Sequence, residues 1–367
     1  MLTVDIALLG GGGAAHCLLH ALADAGADLT VAVLDPVRHN GNDRTWCFWD
    51  GGTSPVEAAV SRRWSALRVV GPDGVGHRLA PCSYAMVRSA DFYRLARERC
   101  AGVRWLPARV RSVRQDGRSV RIDTDTGGTV TARWAFDSRP RPPDRPGGTS
   151  WLQHFRGRWL RDAGLDTDIP TLMDFTAPQP ANGLAFGYLL PAGDGQGLVE
   201  YTVFSAARLP DADYDAALDR LCDGLSGTVE SIEDGVIPMT DGRFARRVGP
   251  RLFRLGTAGG ATRPATGYTF GTMLRQAGVV AGRLAAGVEP VPPRPYPERH
   301  RRYDAILLRA LDRRLVDGPR LLTDLLTTHP TERILAFLDG TSTRRDEARI
   351  LASTPIPAML RAALGAR

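Results

Sequence analysis

The sequence predicts an α/β fold in which a mixed β-sheet domain interrupts a parallel-sheet domain and C-terminal helices follow. Three observations support it. A short apolar run, Val4 to Leu9, leads directly into a glycine-rich turn and a helix. A second glycine-rich segment lies far along the chain, at Gly256 to Tyr268. Strand-like apolar runs lie between them, and Leu198 to Thr202 carries one carboxylate, Glu200. A nucleotide-binding sheet interrupted by a second domain gives this order of elements.

Length and composition limit the class of protein. The chain has 367 residues, of which 43% are hydrophobic, so it can bury a full core and form two domains. No apolar run reaches the ~18 residues of a transmembrane helix, and the chain enters a strand at once, without a signal-peptide pattern. Its five cysteines include no Cys-x-x-Cys pair, so we expect no zinc site and no disulfide framework. These features predict a cytoplasmic protein.

The basic residues are all arginines. They number 47 against 40 acidic residues, which gives a net charge of +7. A chain without lysine forms neither a lysine Schiff base nor a P-loop phosphate site. The arginines are spread along the chain, with some concentration from Arg294 to Arg314, and no basic motif interleaved with aromatic residues indicates nucleic-acid binding. The surface is predicted to be an ordinary solvated one or to contact anionic lipid.

The first glycine-rich turn matches the pattern G-x-G-x-x-A at Gly10, Gly12 and Ala15. Gly10 allows the tight turn, Gly12 and the following Gly13 let the main chain approach a pyrophosphate, and Ala15 permits close packing of the helix on the strand. The helix, predicted over 14–25, then presents free N–H groups to phosphate. The turn predicts dinucleotide binding; the alternative is a glycine-rich turn in an ordinary α/β domain.

A second buried strand, Leu29 to Leu34, ends on Asp35. A carboxylate at this position can accept hydrogen bonds from ribose hydroxyls. His16 and His20 lie one helical turn apart, a spacing that could hold zinc, but no third ligand accompanies them, so we interpret them as structural. No metal site is predicted.

The middle of the chain is rich in β-strands. The segment Asn42 to Trp49 is predicted to be a loop, which either covers a cofactor or packs as a small satellite core. A meander over 103–139 returns to the parallel sheet and ends at Asp137, where a strand end can reach the cofactor. A linker rich in proline and glycine follows at 140–148. Further strands are predicted at 151–155, 171–176, 184–190 and 197–204, with a helix at 211–225.

Strand alternation places Glu200 on one face with Leu198, Thr202 and Phe204. Asp174 has a similar setting between Leu172 and Thr176. A buried carboxyl group without a charged partner has a raised pKa and can act as a general acid. The alternative is a pair of edge-strand carboxylates that face water.

The second glycine-rich segment leads into a helix predicted over 270–286, and Pro264 and Gly267 shape the turn before it. The positive end of this helix would face the bound cofactor. The predicted domains are 1–145 and 246–290 for the dinucleotide-binding domain, 146–245 for the β-rich substrate domain and 291–367 for the C-terminal helical region.

Six segments together resemble the bacterial flavin-dependent lycopene cyclase family, in the same order along nearly the whole chain. The most specific are Arg-Thr-Trp-Cys-Phe-Trp at 44–49, Val-Glu-Tyr-Thr at 199–202 and Pro-Ala-Thr-Gly-Tyr at 264–268. The others lie at 84–93, 170–175 and 236–241. The resemblance implies a Rossmann-like, three-layer FAD-binding domain of the glutathione-reductase type.

The resemblance also implies a chemistry. Members of the family bind FAD in its reduced form, so a reductant such as NADPH is expected, and they cyclise the ends of lycopene to β-ionone rings without net redox change. Glu200 matches the acidic strand motif of the family and is assigned either as the acid or as the group that sets the proton donor. Asp174 is a second candidate in the same cavity. Aromatic side chains are expected to line this cavity and to stabilise a cation, and the candidates are Trp46, Phe48, Trp49, Phe186, Tyr188 and Tyr201.

The same resemblance and the two glycine-rich segments assign a set of residues to FAD binding. These residues are Gly10, Gly12, Gly13, Ala15, Asp35, Arg44, Thr45, Trp46, Asp137, Gly259, Gly260, Pro264, Thr266, Gly267 and Tyr268.

Alternatives on the same fold remain open. They are a cyclase of another prenyl or meroterpenoid chain, a flavin-dependent monooxygenase and a prenyl reductase. The amphipathic stretch Tyr303 to Leu326 is interpreted either as a helix packed on the sheet or as a helix that touches membrane. Because lycopene is insoluble in water, we expect a cytoplasmic protein that is peripheral at the inner face of the cell membrane.

Overall fold

The computed structural model describes residues 1–51, 54–165 and 168–365. In chain order, the strands within these residues are β1 (Leu2–Leu9), β2 (Val31–Leu34), β3 (Thr45–Trp49), β4 (Val60–Trp64), β5 (Leu67–Val70), β6 (Gly76–Leu79), β7 (Tyr84–Arg88), β8 (Arg104–Leu106), β9 (Val110–Gln115), β10 (Val120–Thr124), β11 (Thr129–Asp137), β12 (Ser150–Arg161), β13 (Thr171–Asp174), β14 (Leu184–Gly193), β15 (Gln196–Ser205), β16 (Thr228–Thr240) and β17 (Leu252–Arg254).

The α-helices within the same residues are α1 (Gly13–Asp24), α2 (Ser89–Arg99), α3 (Asp211–Leu221), α4 (Phe270–Ala285), α5 (Glu298–Asp312), α6 (Gly318–Thr327), α7 (Thr331–Asp339), α8 (Arg344–Ala352) and α9 (Ile356–Leu364). Two short 3₁₀ helices lie at Glu57–Ala59 and Gly256–Gly259.

The first sheet is the predicted parallel sheet. Its strand order is β8-β2-β1-β11-β10-β9, and β17 also pairs with β11. The strands β8, β2, β1, β11 and β17 run parallel, while β9 and β10 are antiparallel. All four residues of β2 are buried, as expected for a parallel strand covered on both faces. Helices α1 and α4 pack against one another beside this sheet.

The second sheet is mixed and has the strand order β16-β12-β15-β14-β13-β5-β6. It takes β5 and β6 from the first part of the chain, ahead of the predicted substrate segment 146–245. Its interior strand β15 pairs with β12 on one side and β14 on the other. One face packs on α3, and the other forms two apolar clusters with residues of α5, α6 and α7.

A third sheet corrects the loop predicted at 42–49. Thr45–Trp49 is strand β3, which pairs with β7 in the order β3-β7-β4. The prediction failed because β3 has no clean alternation of apolar and polar residues: four of its five side chains are half-buried. Its partner β7 lies about forty residues further along the chain.

The prediction of one helix over Tyr303 to Leu326 is also corrected, because this stretch forms parts of two helices, α5 and α6. Asp317 caps α6 by accepting a hydrogen bond from the Arg320 N–H at 3.0 Å, and Pro319 follows in its first turn. A capping aspartate followed by proline starts a new helix. Leu308, Leu311 and Leu322 are buried against the second sheet, so the apolar side of this stretch packs on protein. None of the described helices combines the length and the apolar character needed to cross a bilayer.

Candidate functional site

The first glycine-rich turn has an open cradle at its centre. Gly10 adopts φ +100°, and a Cβ there would lie 2.8 Å from the Ser138 hydroxyl oxygen. A Cβ at Gly12, by contrast, would meet no atom within 4 Å. Helix α1 begins at Gly13 without a side-chain cap and without an acidic residue in its first turn. Uncapped N–H groups beside open space favour an anionic ligand.

Asp35 supports the turn from the end of β2. Its carboxylate accepts hydrogen bonds from the Gly11 N–H at 2.6 Å and the Val37 N–H at 2.8 Å. Burial alone would raise the pKa of Asp35, but hydrogen bonds from His39 and these two N–H groups lower it overall. Asp35 is therefore held as a carboxylate acceptor beside the cradle, the state that a ribose contact requires. His39 also pairs with Asp43 at 2.8 Å, a partner that sequence reasoning missed.

The second glycine-rich segment closes on α1 and on the second sheet. Gly256 has φ +60°, and a Cβ there would lie 2.8 Å from the Ala14 Cβ. Gly267 has φ +71°, and a Cβ there would collide with the Gln153 side-chain oxygen of β12. Arg263, which was not predicted, is buried and fixes the turn through Asp304 at 2.7 and 2.8 Å. The segment thus lies between the cradle and the face of the second sheet.

Two buried polar atoms at this junction lack a partner among the described atoms. They are the hydroxyl oxygen of Thr266 and the side-chain oxygen of Gln153. A buried polar atom without a partner is costly, and in native proteins it commonly has a bound group to satisfy it. The open cradle at Gly12 and these two atoms, beside the second glycine-rich segment, fit a polar cofactor such as FAD.

Arg44, Thr45 and Trp46 connect the cradle to the second sheet. Trp46 stacks on Phe270, with ring centroids 4.6 Å apart, at the start of α4. The Trp46 ring also lies close to Gly13, since a Cβ on Gly13 would be only 2.8 Å from it. Thr45 donates hydrogen bonds to Glu233, and the Arg44 guanidinium donates to the Asp234 carbonyl at 3.2 Å. Trp46 therefore lies at the cradle, whereas Arg44 and Thr45 contact β16.

The other predicted cofactor residues occupy the same region. Asp137 is buried at the end of β11 and binds the Arg139 guanidinium at 2.8 and 2.9 Å. Ala15 and Pro264 are buried in the packing of the two segments. Gly259 and Gly260 form the end of the short helix after β17. The contacts of these residues with a cofactor remain predictions.

Glu200 lies on the inner face of the second sheet. Only 7% of the residue is exposed, because β15 is an interior strand rather than an edge. Tyr188 and Gly157 are its neighbours across the two adjacent strands. A Cβ at Gly157 would lie 3.4 Å from the Glu200 Cβ and 2.9 Å from Leu198 Cδ1, so this glycine gives the carboxyl group its room. The Thr202 hydroxyl donates a hydrogen bond to it.

This environment favours a neutral Glu200. Burial raises the pKa of Glu200 to about 8, the Thr202 hydrogen bond opposes the rise, and the charge of Glu233 adds to it. A carboxyl group with a pKa above 7 holds its proton at neutral pH and can donate it. The arrangement can therefore supply a proton in an apolar setting.

Glu233 is a second carboxylate on this face, and sequence reasoning missed it. Glu200, Gly157 and Glu233 are neighbours across β15, β12 and β16. Glu233 is 4% exposed and accepts hydrogen bonds from the Thr45 N–H at 2.6 Å and the Thr45 hydroxyl at 2.7 Å. The only signal in the sequence was an acid two residues before Gly235, which no strand prediction covered.

Asp174 does not share this cavity, and its assignment there is wrong. Asp174 pairs with Gly187, which pairs with Tyr201, so all three lie on the opposite face from Glu200. A Cβ at Gly187 would contact Leu221 of α3 and the Asp174 Cβ. The Asp174 carboxylate accepts hydrogen bonds from Thr176. Tyr201, which was predicted to line the cavity, does not do so: it lies on the same opposite face, and its hydroxyl donates to the Pro178 carbonyl at 2.6 Å.

An aromatic group adjoins Glu200. The Tyr84 and Tyr188 hydroxyls are 2.8 Å apart. Trp49 stacks on Tyr84, with centroids 5.6 Å apart, and meets Tyr268 edge-on at 4.8 Å. Of the predicted lining, Trp49 and Tyr188 belong here; Phe186 packs in the neighbouring cluster, and Trp46 and Phe48 pack on Phe270. Tyr268 brings the second glycine-rich segment into contact with this group.

The two histidines of α1 have separate partners. His16 lies against Tyr93, with centroids 4.2 Å apart, and His20 bonds the Pro55 carbonyl at 2.8 Å. Within residues 1–51, 54–165 and 168–365, no three or more His, Cys, Asp or Glu residues are grouped to hold a metal ion.

Known proteins resemble this chain in sequence and in fold. The sequence profile described as "Lycopene cyclase protein" matches residues 5–364. No curated protein matches the sequence at the significance required. Among solved structures, the chain is similar to a geranylgeranyl bacteriochlorophyll reductase-like protein from Thermoplasma acidophilum, with 13% identity, 98% of each chain covered and a TM-score of 0.61.

Two further structures share the architecture. A flavoprotein/dehydrogenase from Cytophaga hutchinsonii has 13% identity over 100% of both chains and a TM-score of 0.63. The flavin-dependent monooxygenase PieE, solved with FAD and substrate, has 15% identity over 100% of this chain and 72% of its own, with a TM-score of 0.59. These similarities confirm the predicted fold, a Rossmann-like FAD-binding domain with an inserted sheet. The match over residues 5–364 shows that the chain belongs to the lycopene cyclase protein family.

Proposed function

We propose that this protein is a lycopene cyclase, which closes an end of the linear polyene to a β-ionone ring by acid initiation and without net redox change. One observation carries the proposal. Glu200 is a buried carboxyl group with a raised pKa, on a sheet face that meets the flavin-type turn at Gln153 and Gly267. A proton donor in an apolar setting is what protonation of an alkene requires.

The reaction balances in atoms and charge. Glu200 gives its proton to the terminal double bond, whose electron pair forms the new C–H bond and leaves a tertiary cation. The next double bond attacks this cation and closes a six-membered ring. Return of the C6 proton to the Glu200 carboxylate, directly or through water, would give the neutral product and restore the acid. The aromatic group formed by Trp49, Tyr84 and Tyr188 would stabilise the cation and exclude water from it.

FAD fits the residues of the cradle, and NADPH is the proposed reductant. Bound in its reduced form, FAD would supply negative charge that stabilises the developing cation. The Gly10 turn and the N-terminus of α1 would hold the pyrophosphate, and Asp35 would hold the ribose. Gly267 and Thr266 would position the flavin end next to Tyr268.

Peripheral contact with membrane belongs to the proposal because the substrate is a water-insoluble hydrocarbon. The surface that suits it best is α9, whose outward side chains Ile356, Leu360 and Leu364 are 49%, 57% and 77% exposed, whereas Ala362 faces inward. A helix with its large apolar residues outside and alanine inside reverses the usual pattern of a soluble helix. α9 carries Arg361 and no acid, which suits an anionic lipid surface.

The test is an anaerobic assay of FAD-loaded protein with dithionite or NADPH and lycopene in liposomes, run in D₂O and analysed by mass spectrometry. We expect a ring-closed product that carries deuterium at the protonated end. Glu200→Gln should lower the rate by at least about a hundredfold, the usual contribution of a general acid, with flavin content unchanged. Asp174→Asn, on the opposite face, is the matched control and should remain active.

Other outcomes identify other functions. Unchanged lycopene with flavin-loaded enzyme would reject this substrate and favour a cyclase of another prenyl or meroterpenoid chain. A gain of oxygen would indicate a monooxygenase, and a gain of two hydrogens a prenyl reductase. Equal loss of activity in Glu200→Gln and Asp174→Asn would contradict the assignment of the acid.

A further inference from the structure

A basic cavity of about 370 Å³ lies outside the Glu200 face. Its walls come from the two chain crossings between the first and second sheets, from the first half of the second glycine-rich segment, from residues 294–296 and from the start of α5. The crossings are tied together where Arg145 and Arg243 exchange main-chain hydrogen bonds at 2.9 and 3.2 Å. The cavity is therefore built on fixed main chain at the junction of the two sheets.

The lining of this cavity has a net charge of +3. Five arginines and two carboxylates contribute to it. Glu298 is paired with Arg243 and Arg301, and Asp144 is paired with Arg254, outside the lining. Within the described residues, no carboxylate lies within ion-pair distance of the three remaining arginines, which are Arg145, Arg246 and Arg294.

Arg246 is held by a main-chain contact and feels the positive charge of Arg294. The Arg246 guanidinium is half-buried and donates to the Pro292 carbonyl. Burial and the charge of Arg294 lower the pKa of Arg246. Like charges kept together without a counter-ion are unfavourable, and a bound anion would remove the cost. Guanidinium groups bind phosphate through paired hydrogen bonds.

The position of the cavity suggests the ligand. Gly259, Gly260 and Thr262 line it, and they belong to the segment that the proposed function assigns to the flavin. A Cβ at Gly260 would point to Phe244 at 3.3 Å, whereas one at Gly256 would point to Ala14 of α1. The segment thus has the cradle on one side and this cavity on the other. Cavities of this size accept parts of small organic ligands.

We propose that this cavity binds the phosphate groups of a nicotinamide dinucleotide that reduces the flavin. The proposal rests on the proposed function, which requires a reductant. Arg145, Arg246 and Arg294 supply the positive charge, and Phe244 and Tyr296 supply aromatic surface beside it. When bound, the dinucleotide would supply a hydride, equivalent to one proton and two electrons, to oxidised FAD, and this transfer would give the oxidised dinucleotide and reduced FAD.

The test compares Arg145→Gln/Arg294→Gln with the wild-type protein, both loaded with FAD. Both side chains are exposed, so the fold should tolerate the change. Calorimetry with inorganic pyrophosphate and with NADPH measures binding, and stopped-flow absorbance measures flavin reduction. We expect the double variant to bind both ligands at least about tenfold more weakly, since each charged hydrogen bond contributes about this factor. Pyrophosphate should compete with NADPH in the wild type.

Arg104→Gln/Arg118→Gln is the matched control. It removes the same charge from exposed positions of the first sheet and its turns and should leave binding unchanged. Equal weakening in both double variants would show a general charge effect and overturn the proposal. So would absence of pyrophosphate binding in the wild type, or pyrophosphate binding without NADPH binding, which would indicate a free-phosphate site.

Reduction by dithionite separates this proposal from the proposed function. The Arg145→Gln/Arg294→Gln protein reduced with dithionite should cyclise lycopene at the wild-type rate. If NADPH binding depends on the arginines but dithionite-reduced protein does not cyclise lycopene, the site stands and the proposed function fails. If the double variant loses its FAD, the cavity belongs to the flavin site itself, and the proposal is overturned.

Discussion

The raised pKa of Glu200 predicts how activity and stability depend on pH. The pKa of Glu200 is raised to about 8 by burial, so the folded protein keeps a proton that the unfolded chain releases near pH 4.5. The contribution to stability is full below pH 4.5 and is lost as pH rises through about 8. Glu200→Gln cannot ionise, so it should gain stability over wild type across this range, by an amount on the order of a few kcal/mol.

Denaturant unfolding at pH 5 and pH 9 measures this difference. Wild type should lose stability between the two values relative to Glu200→Gln, while cyclisation by wild type should decline as pH rises above about 8. A difference between the two proteins that is the same at both pH values would contradict a neutral Glu200.

Glu233 sets part of the pKa of Glu200 through its negative charge. Glu233→Gln should therefore lower the pKa of Glu200, and the alkaline decline of cyclisation should move to lower pH by about half a unit to one unit. The pH–rate profile checks this. Thr45→Val is the control, because it removes one hydrogen bond to Glu233 and keeps the charge. A profile that moves equally in both variants would show that hydrogen bonding, not charge, is responsible.

The burial of Glu200 was predictable from the sequence, and the face on which Asp174 lies was not, for one physical reason. Alternation along a strand gives the face of each side chain relative to its own neighbours. It does not say which face is the site, because that depends on pairing between strands. The register that links Asp174 through Gly187 to Tyr201 places them beside α3. Glu233 was not predicted as a site residue for the same reason, since only strand pairing through Gly157 brings it next to Glu200.

At the scale of elements, the turn at Gly267 couples the cofactor segment to the second sheet. Gly267→Ala places a Cβ against the Gln153 side-chain oxygen at φ +71°. We expect FAD affinity to fall at least about tenfold, and the left-handed backbone adds a cost of about 1 kcal/mol to folding. Flavin fluorescence titration and thermal unfolding measure the two effects.

Gly287→Ala is the control that separates the effect of backbone strain from the effect of the contact with Gln153. Gly287 has φ +69°, nearly the same backbone conformation, but a Cβ there would meet no atom within 4 Å. This variant should lose a similar amount of stability from strain and keep its FAD affinity. If both variants bind FAD equally well, the contact with Gln153 has no part in the cofactor site.

Elements with strong local signals were predictable, and those defined by distant partners were not. β1, α1 and α4 are rich in apolar residues and adjoin the glycine-rich turns, and their observed bounds lie within two residues of the predicted ones. β3 and β16 depend on β7 and β12 for their pairing. β16 also exposes its first five residues, so its sequence lacks the buried pattern of a strand.

At the scale of the whole molecule, the second sheet joins parts of the chain that are far apart. β5 and β6 extend it from residues 67–79, and residues of α5, α6 and α7 cover its inner face. The Glu200 face is thus enclosed by the C-terminal helices. α9 packs on α5, and its outward residues Ile356, Leu360 and Leu364 are exposed.

The exposed row on α9 predicts membrane binding that depends on both apolar area and charge. Ile356→Ser/Leu360→Ser/Leu364→Ser should weaken binding to vesicles with anionic lipid at least about tenfold, because burial of each side chain contributes on the order of 1.5 kcal/mol or more. Salt should also weaken wild-type binding, since Arg361 and the net charge of +7 attract anionic lipid. Vesicle co-sedimentation measures both effects.

Val279→Ser/Val288→Ser is the control for this prediction, because these side chains are 44% and 51% exposed on another part of the surface. It should bind vesicles as wild type does. The α9 variant should cyclise substrate supplied in detergent at the normal rate and fail only with substrate in vesicles, because α9 lies outside the Glu200 face. Loss of activity in detergent as well would show that α9 supports the fold of the site rather than access to the membrane.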